Sequence, residues 1–348
     1  MNKKRKTGIA AIVFVVLMAV ALVVLLFVNK DKRTDSNPDT KKIMEQIVEW
    51  KKASNNIEAG QPLIGSEYTS LAGSTAGDWF VFAMARMGVE DDYAAYEDAL
   101  VKNIISRYKE KGGLDANKAT EWHRIGLTMT AMGYDPTKIE AGETTIDLVK
   151  DGTYDRGKTA SLDTQGLNGY IWALLLLDSK GYEVPKDAYE TREDMVEQIL
   201  TYQGESGAFG LIESEESVDI TAMAITSLAK YKDQEKVKAS IEKALAYLSN
   251  NQTEQGTFKE RDTESSESCS QVLVALTSLD INPYEDERFI KKGNTVVDGL
   301  YSFRNVDGGF RHSTDKEEAS NAMASEQALY AYVALDRFTE GKSSLYQF

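Results

Sequence analysis

Few side chains of this sequence could carry chemistry, and its two histidines set the first limit. The chain has 348 residues, and His123 and His312 are its only histidines. His123 follows Glu121 and Trp122, so a carboxylate and an imidazole stand together and could form an acid–base pair. No nucleophile is paired with them in the sequence. A helix-capping or packing role for His123 is the competing interpretation.

The single cysteine, Cys269, offers a second possible chemistry. Glu267 stands two residues before it, and a carboxylate and a thiolate can both bind zinc. A catalytic zinc site needs three well-placed protein ligands, and neither histidine stands in the segments that would supply the third. We therefore predict no cofactor and no metal, and we treat Glu267 and Cys269 only as a weak candidate pair for zinc. A lone cysteine also excludes disulfides within the chain.

Other catalytic signatures are absent from the sequence. It contains no Walker A motif, no His-Glu-x-x-His, no Gly-x-Ser-x-Gly and no EF-hand loop. The acidic run Glu90-Asp91-Asp92 follows a predicted helix stop at Gly88, which is typical of a solvated loop. We predict no catalytic residues.

A repeated pattern indicates how the remaining polar residues are positioned. Gln203, Gln252 and Arg304 each stand four residues before a glycine and six before a phenylalanine, at intervals of 49 and 52 residues. Such a period is typical of repeat architectures. One unit cannot bury its apolar face alone, so neighbouring units must stack or close into a ring.

Six segments are nearly apolar on every side, which predicts buried helices. They are 78–88, 121–133, 168–177, 219–228, 267–279 and 325–335. Amphipathic helices are predicted between them at 93–109, 191–202, 234–250 and 286–304. No strands are expected beyond short extended pieces at the repeated turns. The predicted fold is all-α, an (α/α)6 toroid with an inner ring of six helices inside an outer ring of six.

The N-termini of the inner helices of such a ring meet at one opening, here called the mouth. Aromatic rings beside carboxylates and amides would suit a sugar, a peptide or a corrin-like ligand. The residues predicted there are Asp78, Trp79, Glu121, Trp122, His123, Asp219, Glu267, Gln271, Glu326 and Gln327. The alternative is that these residues are helix caps and core aromatics.

The three repeated turns resemble the Gln-Trp motifs of the α/α-toroid superfamily, which includes terpene cyclases and the β subunits of protein prenyltransferases. The resemblance covers roughly residues 60–348 and implies the toroid fold. Segments 217–277 and 321–346 are most similar to bacterial surface proteins with prenyltransferase- and squalene-oxidase-type repeats. In that superfamily the glutamine tethers helix ends and the aromatic ring stacks beside it. A shared fold does not by itself imply a shared chemistry.

The activities that the resemblance implies can be checked residue by residue. Of the two aspartate motifs of terpene cyclases neither is complete, because Val89 and Ala95 stand where aspartates are required. Glu267 and Cys269 fall where prenyltransferases hold zinc with Asp-x-Cys, but the histidine of the next unit is missing. Ala324 replaces the cysteine of the thioester motif of complement-type toroids, which excludes a thioester.

The toroid also resembles the helical barrel of cobalamin carriers. Those carriers complete their site with a small β domain, which this chain lacks. Cobalamin is therefore expected only if a partner domain supplies the other wall of the site.

Residues 8–28 are uncharged and predict a membrane anchor. At 1.5 Å per residue this helix would reach about 31 Å, the thickness of the hydrocarbon core. Four basic residues precede it, which predicts a cytoplasmic N-terminus. A cleaved signal peptide is the rival interpretation, although its apolar core would be shorter.

The predicted organisation has four parts. They are a basic cytoplasmic tail at 1–7, a transmembrane signal anchor at 8–28, a juxtamembrane linker at 29–44 and the toroid at 45–348. This places the protein in the cell membrane of a Gram-positive bacterium as a single-pass protein with its toroid outside.

The charge distribution limits the partners. The net charge of the chain is −15, and residues 1–33 carry seven basic side chains and one acidic one. The net negative charge therefore lies in the residues that follow, most of which belong to the predicted toroid. Such a domain would not track a phosphate backbone, which excludes nucleic acid as a partner. We predict a non-catalytic ligand-binding or surface-scaffold module for a small molecule, glycan or peptide. The alternative is a terpene cyclase- or prenyltransferase-like enzyme acting on an isoprenoid.

Overall fold

The computed structural model describes residues 38–65, 67–156, 161–260, 263–314 and 318–348. Within these ranges no helix is long and apolar enough to cross a bilayer. The predicted anchor at 8–28, the tail at 1–7 and most of the linker lie outside them. The first helix begins at Thr40, inside the range predicted for the linker.

Helices dominate the described residues from Thr40 to Phe348, which form one compact unit. In chain order they are α1 (Thr40–Ser54), α2 (Thr75–Met87), α3 (Tyr93–Lys111), α4 (Thr120–Ala131), α5 (Leu148–Gly152), α6 (Leu167–Ser179), α7 (Arg192–Thr201), α8 (Val218–Leu228), α9 (Glu235–Asn251), α10 (Ser266–Ser278), α11 (Val296–Tyr301) and α12 (Ala322–Thr339). Short 3₁₀ segments lie at Tyr68–Leu71, Leu162–Gln165, Ala229–Tyr231 and Glu287–Phe289.

The even-numbered helices form a closed inner ring. Each one packs against the next along the chain, and α12 packs against α2 to complete the circle. The odd-numbered helices flank this ring, with α1 against α12, α5 against α4, α7 against α6, α9 against α8 and α11 against α10. The predicted toroid of alternating inner and outer helices is confirmed.

Two departures from the prediction come from turn-forming residues. The helix predicted at 286–304 is interrupted because Lys292 and Gly293 adopt positive φ in a tight turn, and only α11 forms after it. A β-hairpin, β1 (Ile139–Ala141) with β2 (Thr144–Ile146), was not predicted. Gly142, at φ +76°, opens its two-residue turn, and Ile139 and Ile146 are buried. A second short pair, β3 (Lys259–Glu260) with β4 (Thr263–Glu264), follows the second repeated turn, where extended pieces were expected.

The repeated turns fasten each unit to the next. Gln203 Nε2 donates to the carbonyl of Gly207 within its own turn and to that of Ser240 in α9, both at 2.9 Å. Gln252 Nε2 does the same with Gly256 at 3.3 Å and Phe289 at 3.1 Å. These contacts satisfy buried carbonyls that would otherwise lack donors. Each glutamine therefore clamps a turn against the following outer segment.

The third turn closes the outer layer. Arg304 Nη2 donates to Gln46 Oε1 in α1 at 2.8 Å, so the last turn reaches the first helix. Gly308, at φ +94°, lies so close to α1 that a Cβ would be 2.9 Å from the Gln46 carbonyl oxygen. The phenylalanines of the three turns, Phe209, Phe258 and Phe310, are all fully buried.

We expect the close approach of the first turn to α9 to be sensitive to a single methyl group. Gly207 has φ +91°, and a Cβ there would lie 2.5 Å from the Lys243 carbonyl oxygen. Gly207→Ala should lower the free energy of unfolding by at least about 2 kcal/mol, because it adds left-handed strain to a steric clash. Gly204→Ala in the same turn is the matched control, since its Cβ would meet nothing closer than 3.8 Å. Urea denaturation of both variants checks this, and equal losses would contradict it.

Candidate functional site

A cavity of about 290 Å³ opens at the mouth, between the N-terminal ends of α2, α4 and α6. Its walls are Thr75, Trp79, Lys118, Thr120, Glu121, Arg124, Gln165, Asn168 and Trp172. The Trp79 and Trp172 rings lie 4.9 Å apart at 45° and form an apolar wall. Opposite charges and amide groups share the same opening, so the cavity combines an aromatic surface with polar groups that could orient a ligand.

Arg124 organises the charges of this site. Its Nε donates to Asp78 Oδ2 at 2.9 Å, and its Nη1 and Nη2 donate to the two oxygens of Glu121 at 2.5 and 3.0 Å. Asp78 is fully buried and also accepts from Gly73 N and from the Tyr96 hydroxyl. Burial raises the pKa of Asp78, while the charge and hydrogen bond of Arg124 and the hydrogen bonds from Tyr96 and Gly73 act in the opposite direction. Through these contacts Asp78 holds α2, α3 and α4 together.

Glu121 stays ionised at the rim of the cavity. Burial raises its pKa, but hydrogen bonds and charge from Arg124 and Arg107 outweigh burial and bring the pKa below its ordinary value. Arg107 Nη2 lies 2.9 Å from Glu121 Oε2. Glu121 is therefore not a proton donor near neutral pH.

Glu326, on α12, behaves differently from these two acids. Its side chain is buried, and it accepts no hydrogen bond from the residues that the structure describes. Burial raises its pKa to about 8, while the charges of Lys51 and Arg124 act in the opposite direction. Lys51 Nζ rests over the rings of Phe80 and Tyr68 at 5.3 and 5.7 Å from their centroids. Glu326 is thus a carboxyl group that is largely protonated at neutral pH.

Amides occupy the opposite side of the inner ring. Gln271 Nε2 donates to Gln327 Oε1 at 3.0 Å and to the Tyr330 hydroxyl. Asp219, at the start of α8, contributes to raising the pKa of the buried Tyr330 hydroxyl, after burial and the charges of Tyr346 and Glu326. Gln271 thus hydrogen-bonds with both Gln327 and Tyr330, and of these four residues Gln327 and Asp219 are partly exposed.

Two predicted mouth residues point away from the opening. Trp122 donates from Nε1 to the Tyr108 hydroxyl at 2.8 Å and packs on Gly152, between α4 and the outer layer. His123 Nε2 lies 2.7 Å from the Gly152 carbonyl oxygen, and burial lowers the pKa of His123 to about 3. The imidazole is therefore neutral and cannot act as an acid–base group at the mouth.

The candidate zinc pair has other partners. Glu267 Oε2 accepts from the hydroxyls of Ser265 and Ser266 and lies 2.8 Å from His312 Nδ1. Cys269 is fully buried, and burial raises the pKa of its thiol far above the ordinary value. Within the described ranges no three histidine, cysteine, aspartate or glutamate side chains come together as metal ligands do.

Sequence reasoning missed seven of the nine residues that line the cavity: Thr75, Lys118, Thr120, Arg124, Gln165, Asn168 and Trp172. A signal existed for two of them. Arg124 follows Glu121 by three residues and Trp172 follows Asn168 by four, so each stands one helical turn above a helix start. Gln165 lies in a 3₁₀ turn ahead of α6, and its position depends on hydrogen bonds to Thr120 that no local pattern predicts.

A ring of inner helices with a cavity at its N-terminal mouth defines an α/α toroid. The chain belongs to the prenyltransferase alpha-alpha toroid domain family, whose model matches residues 149–342. No curated protein sequence matches the chain significantly.

Two solved structures share the fold. The protein geranylgeranyltransferase-I of Candida albicans, complexed with GGPP, has a TM-score of 0.53 and 11% identity, over 85% of this chain and 92% of that one. The unsaturated glucuronyl hydrolase of Bacillus sp. GL1 has a TM-score of 0.51 and 10% identity, over 78% of this chain and 88% of that one. At such identities the likeness concerns the fold alone.

The protonation of Glu326 predicts a pH dependence of stability. A carboxyl group whose pKa rises from about 4.3 unfolded to about 8 folded binds its proton more tightly in the folded state. Stability that it contributes is therefore lost as pH rises between these values. The stability of Glu326→Gln relative to the parent chain should increase over this window, by at most about 1.4 kcal/mol per pH unit.

Urea denaturation between pH 5 and 9 measures this difference. His123 and Glu190, whose pKa values burial also shifts, are present in both chains and cancel in the comparison. Glu45→Gln, on the exposed face of α1, is the control. Its free energy of unfolding should differ from that of the parent chain by the same amount at every pH. If the free energies of unfolding of Glu326→Gln and the parent chain differ by the same amount at every pH, the raised pKa of Glu326 is contradicted.

Proposed function

We propose that this protein is a membrane-anchored extracellular binding module whose mouth cavity holds one unit of a glycan or a small ligand of similar chemistry. The observation that carries the proposal is the Trp79–Trp172 wall beside an unsatisfied amide. Asn168 Oδ1 is buried in the cavity wall and accepts no hydrogen bond from any described residue. A buried acceptor without a donor is costly, and a ligand hydroxyl would supply the donor.

The remaining groups of the cavity suit the same ligand. An indole face packs well on the apolar face of a sugar ring, while the ring's hydroxyls bind amides and charged groups at the edge. Glu121 and Arg124 keep a fixed geometry because they bind each other, so the polar side of the site is preorganised. A cavity of about 290 Å³ lies near the lower end for ligand pockets, which favours a single ring over a long ligand.

A non-catalytic role fits these contacts. Catalysis needs a nucleophile and base, or an acid, positioned at the bound ligand. Asp78 and Glu121 are committed to Arg124, and His123 is buried away from the mouth. Cobalamin binding, with a partner domain as the second wall, and a purely scaffolding role remain compatible with the same module.

One observation favours the alternative of an isoprenoid enzyme. Glu326 is a buried carboxyl group within the ring that holds its proton at neutral pH, so it is a group from which a bound substrate could take a proton. Turnover of an isoprenoid by the parent chain, lost in Glu326→Gln with binding retained, would favour this enzyme over the binding module.

Removing one wall of the cavity should weaken binding without unfolding. We expect Trp79→Ala and Asn168→Ala each to reduce affinity at least tenfold, since tenfold corresponds to about 1.4 kcal/mol. Trp50→Ala is the control, because Trp50 lies on the outer helix α1 and packs against Gly309. A glycan array with calorimetry on its hits measures the affinities. Unchanged affinity in both cavity variants would exclude this cavity as the ligand-binding site.

The anchor is tested separately. We expect the full chain to sediment with bacterial membranes and its toroid to be cut by protease added to intact cells, because residues 8–28 are long and apolar enough to span a bilayer. A chain lacking residues 8–28 should remain soluble in the cytoplasm. Recovery of the full chain in the soluble fraction would contradict the anchor.

A further inference from the structure

Residues 342–348, here called the closing segment, return across the end of the ring opposite the mouth. Tyr346 is buried there and stacks on Phe82 at 5.5 Å between ring centroids, with 23° between the planes. The amide of Phe348 donates to the Ser179 carbonyl at the end of α6, at 2.8 Å. The Phe348 ring lies under the Arg86 guanidinium, 4.2 Å from its centroid. The segment thus fills the ring from its C-terminal side.

The ring holds this segment mainly through its backbone. Arg86 donates from Nε to the Leu345 carbonyl at 2.8 Å, and from Nη2 to those of Ser344 and Gln347 at 2.8 and 2.7 Å. Arg337 Nε donates to the Ser343 carbonyl at 2.8 Å. Hydrogen bonds to the main chain of a peptide, with pockets for selected side chains, are how proteins bind peptide segments. The closing segment is held as a peptide ligand would be.

Two polar groups at the contact between the closing segment and the ring lack a matching partner among the described residues. The Tyr346 hydroxyl is buried and has no hydrogen-bond partner among the described residues. Within the described ranges the Arg86 guanidinium contacts carbonyl and hydroxyl oxygens and the Phe348 ring but no carboxylate, and burial and the charge of Arg337 lower its pKa to about 9. An unsatisfied hydroxyl and a cation without an anion both favour release of the segment over release of a core helix.

The segment also contacts Trp172, which lines the mouth cavity. Trp172 contacts Trp79 on one side and Tyr346 on the other, with 5.7 Å between the Trp172 and Tyr346 centroids in an edge-on arrangement. Departure of Tyr346 would remove these ring contacts from Trp172 and Phe82.

We propose that the closing segment is an exchangeable internal ligand of a peptide site built by Arg86, Arg337, Phe82 and Trp172. The Gln347 amide donates to the Ser344 carbonyl at 3.1 Å, so residues 344–347 form a turn. When the segment leaves, the site accepts in its place a peptide that can form the same turn, with aromatic residues at alternate positions, as in Leu345-Tyr346-Gln347-Phe348. The same segment of a second copy of this chain meets that requirement.

The first experiment uses the full chain. Hydrogen exchange should show the amides of Gln347 and Phe348 exchanging at least 100-fold faster than those in the middle of α12. This difference should persist without denaturant, because the segment opens without unfolding the ring. Exchange of these amides only together with α12 would overturn the proposal.

The second experiment supplies the peptide in trans. A chain that stops at Lys342 should bind a fluorescein-labelled Ser-Ser-Leu-Tyr-Gln-Phe peptide saturably, as measured by anisotropy. The peptide with alanine in place of tyrosine should bind at least tenfold more weakly. A folded truncated chain that binds neither peptide would overturn the proposal, and if truncation prevents folding, the full chain with Tyr346→Ala is tested with the same peptides.

Two variants separate this site from the mouth. Arg86→Met removes the contacts to three backbone carbonyls and should weaken the peptide at least tenfold. Asn168→Ala, which changes the polar side of the mouth cavity, should leave peptide affinity within a factor of two. Equal effects of the two variants would contradict a separate peptide site, whatever the outcome of the glycan experiments.

Discussion

The inner helices of this protein can be buried only if the ring closes. α10, for example, has buried residues at every position from Ser266 to Thr277, so it needs neighbours on all sides. α12 supplies the last contact by packing between α10 and α2, and α1 covers it from outside. The clamps at Gln203, Gln252 and Arg304 set the spacing of the outer layer around that ring. A toroid of this kind gains most of its stability from burial that no isolated unit achieves.

Arg124 adds an electrostatic link between neighbouring inner helices. A single guanidinium binds Asp78 of one inner helix and Glu121 of its own, and its charge also reaches Glu326. Burial raises the pKa of Glu326 more than the nearby charges of Lys51 and Arg124 lower it. Glu326 differs in its contacts from Asp78 and Glu121, which are hydrogen-bonded to Arg124, although all three residues were expected to share the same mouth.

The sequence predicted the architecture well because periodicity and turn residues are local signals. Six apolar segments and three Gln/Arg-x3-Gly-x-Phe turns were sufficient for the ring. The break at Gly293 and the hairpin at Gly142 were missed, since single glycines do not reveal which φ they will adopt. The direction of a side chain around an inner helix was harder still. Trp122 and Trp79 both stand near helix starts, yet only packing against Gly152 turns Trp122 outward.

The contact between Arg304 and Gln46 has a consequence for how the chain reaches its folded state. These residues are 258 positions apart, so the first helix cannot find its place until almost the whole chain has been made. Until then the apolar face of α1, with Ile43, Ile47 and Val48, has no native partner. Closing so long a loop lowers the entropy of the chain before the stabilising contacts form, and such topologies fold slowly. Because α1 packs on α12, ring closure is expected to be the final step of folding. The chain with an unclosed ring would then be the species most prone to aggregation.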